Sequence, residues 1–249
     1  MNTIEVNAMQ VYPTTSPTAP ASALIRILSV SLIIMIAAFA MPARAQESGT
    51  IKGSVVYTGA VPVKTIIPKD REICGKPFKE AQIAVGDNKV VKHAFVYLDG
   101  VKGKPMPKPA KAPVLDNKDC RFVPEVLVMS PGPVEIVNSD PVLHNTHGFY
   151  GKRTAFNVAL PNQGQRITKT LPRPGIVRVE CDEHGHMHAT ILVADNPYHA
   201  ITGEDGAFML TDVPPGSYTL IVYQRHTGQI ETPVTVKTGE TSEVKIDLK

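Results

Sequence analysis

One short segment, Cys181–His188 with the sequence CDEHGHMH, holds a thiol, an imidazole and a thioether within a single turn. Cys181, His184 and Met187 follow one another at intervals of three residues. These side chains are soft metal ligands of the kind that copper prefers, and one more imidazole would complete the set. His144 is the upstream candidate, so the chain must fold in a way that brings it to this segment.

Short β-rich runs separated by turn signals recur through residues 46–249, whereas helical periodicity is scarce. Such a pattern is typical of sandwiches and barrels, so the sequence predicts an all-β fold. Runs at 176–180 and 190–193 flank the ligand segment, and a run at 134–137 precedes His144. The candidate ligands are therefore predicted to lie at strand ends.

A small second β unit is predicted at residues 195–249. Asp205-Gly206 is a hairpin-turn signal between two apolar runs. A strongly alternating run follows at 213–222, and a last hairpin is predicted at 234–248. A unit of this size has only a marginal core of its own.

Residues 1–45 have the pattern of a secretory signal. Arg26 precedes an apolar run over 27–41, and Ala43-Arg44-Ala45 is a small-residue cleavage site. The run is shorter than the roughly 20 residues that span a bilayer, which favours cleavage after Ala45 over an uncleaved membrane anchor. The mature protein is then predicted to be periplasmic or secreted, without a membrane attachment.

The charge balance gives no reason to propose a polyanionic partner. The whole chain has a net charge of +3, and removal of residues 1–45 takes away two basic residues and one acidic residue, which leaves +2. A nearly neutral protein of this kind is not expected to bind nucleic acid or an anionic membrane surface.

The three cysteines all lie in the exported part of the chain. In an oxidising compartment, an odd number implies one disulfide and one thiol with another role. Cys181 has metal-ligating neighbours that account for a free thiolate. We therefore predict a disulfide between Cys74 and Cys120.

The pattern Asn138-x-Asp140-x-x-x-His144-Asn145, followed by Cys181-x-x-His184-x-x-Met187, resembles the type 1 copper site of the cupredoxins, with a spacing nearer to amicyanin than to plastocyanin. The resemblance covers about residues 115–194. It implies an eight-stranded Greek-key sandwich with copper at one end. The implied metal ligands are His144, Cys181, His184 and Met187, with Asn145 linking the two ligand loops, and the ring edge of His184 is near the surface in such folds.

Residues 195–249 resemble the carboxypeptidase regulatory-like, or transthyretin-like, β-sandwich domains. The resemblance is carried by Thr202-x-x-Asp205-Gly206-x-Phe208 and by Pro215-Gly216-x-Tyr218. Such domains begin with a Gly-x-Val strand and a second apolar strand, and Gly53-Ser-Val55 and Ala94–Leu98 fit those roles.

This second resemblance leaves two arrangements open for residues 46–114, which comprise β strands and a Lys/Pro-rich loop. Residues 49–100 and 195–249 could be two halves of a regulatory-like domain into which the cupredoxin is inserted, or residues 49–100 could add strands to the cupredoxin. The combination resembles exported proteins described as methylamine-utilisation-like.

The leading functional hypothesis is a mononuclear type 1 copper protein that carries single electrons between redox partner proteins and is not an enzyme. The Cys181 flanks differ from the His-Cys-His run of multicopper oxidases, and the chain has no His-Glu-x-x-His zinc motif. One alternative is a copper chaperone or storage protein that uses His186 and His188 as accessory ligands; another is a structural β protein with an empty site. The simpler interpretation of both histidines is that they face solvent and bind no metal.

Overall fold

The computed structural model describes residues 48–249, and the predicted signal segment lies outside the described residues. Eighteen β-strands, one single-turn helix and one 3₁₀ turn make up the regular structure of this part of the chain. The all-β prediction is confirmed. Among the described residues, no helix has the length and apolar character needed to cross a membrane.

Most of the strands are joined by short connections, and a longer loop covers residues 99–113. Helix α1 (Arg71–Cys74) lies between β2 and β3, and the 3₁₀ turn (Asp87–Lys89) between β3 and β4. The strands are β1 (Gly49–Val56), β2 (Val63–Ile66), β3 (Phe78–Ala81), β4 (Phe95–Leu98), β5 (Val114–Lys118), β6 (Arg121–Val123), β7 (Val126–Met129), β8 (Gly132–Asn138), β9 (His144–Tyr150), β10 (Arg153–Leu160), β11 (Arg166–Leu171), β12 (Gly175–Glu180), β13 (His188–Val193), β14 (His199–Ile201), β15 (Ala207–Val213), β16 (Gly216–Gln224), β17 (Gly228–Val236) and β18 (Thr241–Asp247).

A first sandwich is formed by a five-stranded sheet in the order β10-β9-β12-β13-β7 and a four-stranded sheet in the order β11-β8-β5-β6. Alternating residues of its strands point inward, as the period of a half-buried strand requires; in β10 these are Phe156, Val158 and Leu160. Cys181 and Met187 belong to the same buried cluster. The ligand segment is therefore anchored in this core.

A second sandwich combines strands from the two ends of the described chain. One sheet has the order β15-β1-β18 and the other the order β14-β4-β16-β17, so β1 and β4 pair with strands from residues 199–247. Strand β1 runs parallel to β18 and packs closely on it: a Cβ at Gly53 would come within 1.9 Å of the Val244 carbonyl oxygen. Glycine at this position permits the close approach of the two backbones.

The two sandwiches pack on each other through a small apolar cluster. Phe95 of β4 is buried with Leu192 and Ala194, and Val126 and Ile176 pack against them. Because β13 continues almost directly into the strands of the second sandwich, this contact fixes one sandwich against the other.

The segment between β1 and β4 contributes one further small sheet, in which β2 pairs with β3. Helix α1 in this segment buries none of its residues, and the disulfide between Cys74 and Cys120 connects it to the β5–β6 turn. The predicted disulfide is confirmed, and Cys181 is the free, buried cysteine.

Candidate metal centre

The predicted ligands meet because β12 lies between β9 and β13 and is antiparallel to both. Antiparallel pairing places the end of one strand beside the start of its neighbour. His144 is the first residue of β9, Cys181 follows the last residue of β12, and Met187 precedes the first residue of β13. All three positions therefore lie at one end of the five-stranded sheet.

Three donor atoms converge at this end. The Cys181 Sγ lies 3.8 Å from Nδ1 of His184 and 4.0 Å from Nδ1 of His144. Metal bonds of about 2.0–2.3 Å to nitrogen and sulfur place neighbouring donors of one ion about 3.5–4 Å apart. All three residues are buried, and their donor atoms form a group that could hold a metal ion.

The ligand loop is closed by its own backbone. The Cys181 N–H donates to the Met187 carbonyl oxygen (3.3 Å), and the Met187 N–H donates to that of His184 (2.8 Å). The His184 N–H points to the Cys181 sulfur at 3.4 Å. Met187 is only 2% exposed and shares a buried cluster with Cys181. These backbone hydrogen bonds hold the thiol, imidazole and thioether residues of the loop close together.

Asp140 orients His144 from the side opposite the sulfur. Its Oδ2 lies 2.9 Å from His144 Nε2, and the histidine side chain is fully buried. A carboxylate at Nε2 favours the proton on that nitrogen, which leaves the lone pair of Nδ1 facing Cys181. Asp140 is thus a positioning residue for this imidazole.

The same carboxylate also holds the β5–β6 turn. Asp119 and Cys120 both have left-handed backbone conformations, with φ values of 52° and 51°. Each donates its N–H to Asp140, to Oδ1 and Oδ2 respectively, at 2.8 Å. Non-glycine residues rarely adopt this conformation. Asp140 therefore stabilises a turn that carries one half of the disulfide.

Asp70 orients His184 in the same way as Asp140 orients His144, by a carboxylate oxygen at Nε2 of the ring. The Nε2 of His184 lies 2.9 Å from the Asp70 Oδ2, and the His184 side chain has no exposed surface. The His184 ring edge is therefore covered rather than exposed, and the Asp70 side chain that covers it is itself 43% exposed. The segment that leads into α1 covers this edge, because the Cys74–Cys120 disulfide holds α1 against the centre.

Asn145 connects the two ligand loops. Its side-chain oxygen accepts the Asp182 N–H at 2.6 Å, and its amide donates to the Asp182 carboxylate at 3.0 Å. Asp182 directly follows Cys181, so this pair of hydrogen bonds fixes the start of the ligand loop beside β9. The same Asp182 carboxylate lies 3.2 Å from Nδ1 of His147, which is thereby placed in a surface network outside the centre.

Burial in the metal-free site disfavours the thiolate form of the free cysteine. Burial raises the pKa of Cys181, although backbone N–H groups of Asn145, Glu183 and His184 act in the opposite direction. Burial lowers the pKa of His144 and outweighs the opposing effect of Asp140. Near neutral pH, a metal ion entering the site therefore meets a neutral imidazole and must displace the thiol proton.

His186 and His188, the proposed accessory copper ligands, have other partners. His186 Nε2 lies 3.1 Å from the Cys120 carbonyl oxygen, and His188 Nε2 lies 3.2 Å from the Glu125 carboxylate. Within residues 48–249, neither histidine belongs to a cluster of three candidate donor atoms. Both are partly buried, so each keeps some contact with solvent.

The sequence analysis missed the roles of Asp70 and Asp140. Asp140 lies in the motif that contains His144, and its position four residues before that histidine is the sequence feature that indicates a contact between them. Asp70 lies 114 residues before His184, in a segment without any ligand-like pattern. Its role depends on how the chain folds back over the first sandwich.

Residues 175–249 match the family model of the carboxypeptidase regulatory-like domain. The predicted resemblance of the C-terminal unit is confirmed. The matched range begins with β12, which the structure places in the first sandwich, and continues through all C-terminal strands of the second. No curated protein matches this chain.

Similar solved structures include copper proteins of the cupredoxin class. A purple cupredoxin from Nitrosopumilus maritimus is 22% identical, with 34% of this chain and all of that chain covered and a TM-score of 0.30. Amicyanin from Paracoccus versutus is 17% identical, with 40% and 97% covered and a TM-score of 0.31. A copper-containing nitrite reductase from Thermus scotoductus SA-01 is 24% identical, with 37% and 25% covered and a TM-score of 0.31. This chain therefore spans only a quarter of that reductase.

Proposed function

We propose that this protein is a mononuclear copper protein that carries single electrons between redox partner proteins in the periplasm. One observation carries the proposal. In a buried site, the sulfur of Cys181 lies 3.8 Å from Nδ1 of His184 and 4.0 Å from Nδ1 of His144. A Cys-His-His set with a nearby methionine suits copper electron transfer.

Four residues would hold the metal: Cys181, His144 and His184 as strong ligands, and Met187 as the weak one. Copper bound there supplies one-electron redox chemistry. The protein fixes the donors beforehand, because Asp140 and Asp70 hold the outer nitrogen of each imidazole. Ligands held in this way reorganise little when an electron arrives or leaves.

Two features favour this function over copper storage or a zinc site. His186 and His188 are each engaged with another group, which does not support an accessible loading surface. Met187 is buried beside the thiol, and a thioether is a soft ligand that suits copper rather than zinc.

The proposal is tested by adding Cu(II) to the purified protein with its disulfide intact. We expect one copper per chain and strong visible absorption from the thiolate–copper bond. Cys181→Ser should lose that absorption, whereas His188→Ala, a matched change in a neighbouring residue, should keep it. A protein that stays colourless and instead binds Cu(I) for transfer to another protein would refute the electron-carrier role.

Replacement of Asp70 tests the cover over His184. Asp70→Ala removes the carboxylate from Nε2, and loss of such an outer partner typically costs about 10–100-fold in metal affinity. We also expect faster electron exchange with a small hydrophilic oxidant, because the imidazole edge becomes accessible to water. Stopped-flow reoxidation and copper competition measure the two effects.

Glu72→Ala, which removes an exposed carboxylate from helix α1 two residues beyond Asp70, is the control for the change in charge. If it accelerates electron exchange as much as Asp70→Ala, the cover does not limit access to His184.

A further inference from the structure

The Cys74–Cys120 disulfide lies directly beside the candidate centre. A sulfur of each cysteine and one ring nitrogen of His184 all lie within 4.8 Å of one another. Cys120 and His184 are buried, and Cys74 is partly buried. A disulfide this close to a metal ligand can do more than connect two segments of the chain.

We propose that Cys74, Cys120 and His184 form a second copper site, specific for Cu(I), when the disulfide is reduced. Two thiolates and an imidazole are a soft donor set, and soft donors select Cu(I). In the disulfide, the same sulfur atoms are poor ligands because each is bonded to the other. The redox state of this bond therefore switches the site on and off.

The chemistry of opening is a thiol–disulfide exchange with a dithiol protein. The Cys74–Cys120 bond breaks, both cysteines gain an electron and a proton, and the dithiol partner is oxidised to its own disulfide. Binding of one Cu(I) then releases the two thiol protons to solvent. Exchange with the disulfide form of the same class of partner reverses the first step after the metal has left.

The segment that carries Cys74 has few other attachments that would keep it closed. Helix α1 is a single turn with no buried residue. Besides the disulfide, the contacts of this segment with the ligand loop include the Asp70–His184 hydrogen bond, the ion pair of Lys69 with Glu183 and the edge-on contact of the Phe78 ring with His186. Exposed ion pairs contribute little to stability. Once the disulfide is reduced, the two sulfur atoms can separate to the roughly 3.5–4 Å that two ligands of one ion require.

His184 connects the outer site to the inner one. Its Nδ1 faces the Cys181 sulfur at 3.8 Å, so a copper ion bound by the outer set lies next to the inner thiol. The ion can then pass inward by exchange of Cys74 and Cys120 for Cys181 and His144. This transfer rests on the proposed function, whereas Cu(I) binding by the outer set does not.

The test uses the full chain with Cys181→Ser, which removes the inner thiol and leaves the outer donors intact. Cu(I) affinity is measured by competition with a chromophoric Cu(I) chelator, before and after reduction with a phosphine. We expect the reduced protein to bind one Cu(I) per chain at least 100-fold more tightly than the oxidised protein. Cys74→Ser in the same background should abolish that gain.

Equal Cu(I) affinity in the oxidised and reduced protein would overturn the proposal, and so would undiminished affinity after Cys74→Ser. A second measurement avoids dependence on substituted protein: in the reduced native sequence, Cu(I) added beyond the one equivalent that the inner site takes should protect Cys74 and Cys120 from alkylation, as read by peptide mass. Alkylation of both at the rate of the metal-free protein would also overturn it.

The two proposals fail separately. Absence of visible absorption from the oxidised native protein with Cu(II) contradicts the electron-carrier function alone. Absence of reduction-dependent Cu(I) binding in the Cys181→Ser protein contradicts the outer site alone.

Discussion

Replacement of Asp140 by alanine is expected to lower the free energy of unfolding by about 3–5 kcal/mol, because a buried charged acceptor is removed from three donors. Those donors are the N–H groups of Asp119 and Cys120 and Nε2 of His144. Asp140 is only 5% exposed, so water cannot readily replace the lost hydrogen bonds. Urea unfolding of the metal-free protein measures the loss.

The same substitution should weaken copper binding by about 10–100-fold, since an imidazole that loses its outer partner loses its fixed orientation. Asp140→Asn provides a graded comparison: with its oxygen in the Oδ2 position, asparagine can still accept from Cys120 and His144 and loses only the Asp119 bond. It should therefore be less destabilising than alanine.

Glu135→Gln is the control. Glu135 lies on β8, the strand that precedes Asp140, and forms an exposed ion pair with Arg166 of the neighbouring strand β11. We expect little change in stability and none in copper affinity. If Asp140→Ala and Glu135→Gln lower the unfolding free energy equally, Asp140 has no special role in the turn.

Removal of the disulfide, by Cys74→Ala with Cys120→Ala, is expected to lower the free energy of unfolding by about 4 kcal/mol. The two cysteines are 46 residues apart, and closure of a loop of that length removes a corresponding entropy from the unfolded chain. Urea unfolding of the metal-free protein should show the loss as a lower midpoint. Reduction of the native protein should produce a loss of similar size, which makes it the internal comparison.

The disulfide and Asp140 both hold the turn that carries Cys120, which lies beside the candidate centre. Asp140 holds the turn on which Cys120 lies, and it also orients His144. Across the bond, Cys74 ends the helix that Asp70 precedes, and Asp70 orients His184. The carboxylate that holds His184 thus lies in a segment attached by the disulfide, and the carboxylate that holds His144 lies in the β8–β9 loop and stabilises the turn at the other end of the bond. If removal of the disulfide leaves the unfolding free energy within 1 kcal/mol of the native value, the cover is held by other contacts.

Much of the centre could be predicted from the sequence because its determinants are local. The spacing of Cys181, His184 and Met187 lies within one turn, and the β-rich runs around that turn placed it between two strands. His144 could be paired with the turn because it also follows a strand, and strand ends meet at the edges of a sheet. The free thiol near other metal ligands left Cys74 and Cys120 as the disulfide pair.

The environment of the ligands was decided by the tertiary structure alone. No sequence pattern connects Asp70 with His184 over 114 residues, and the histidine edge that the family resemblance placed near the surface is covered by Asp70 in this chain. Equally, the sequence left two partners open for residues 49–100, and the observed pairing of β1 with β15 and β18, and of β4 with β14 and β16, places these two strands in the second sandwich. Residue spacing determines which donors can share a turn. Contacts between distant segments depend instead on which sheet each strand joins. A strand must join a sheet to pair its backbone hydrogen-bonding groups and to bury its apolar face.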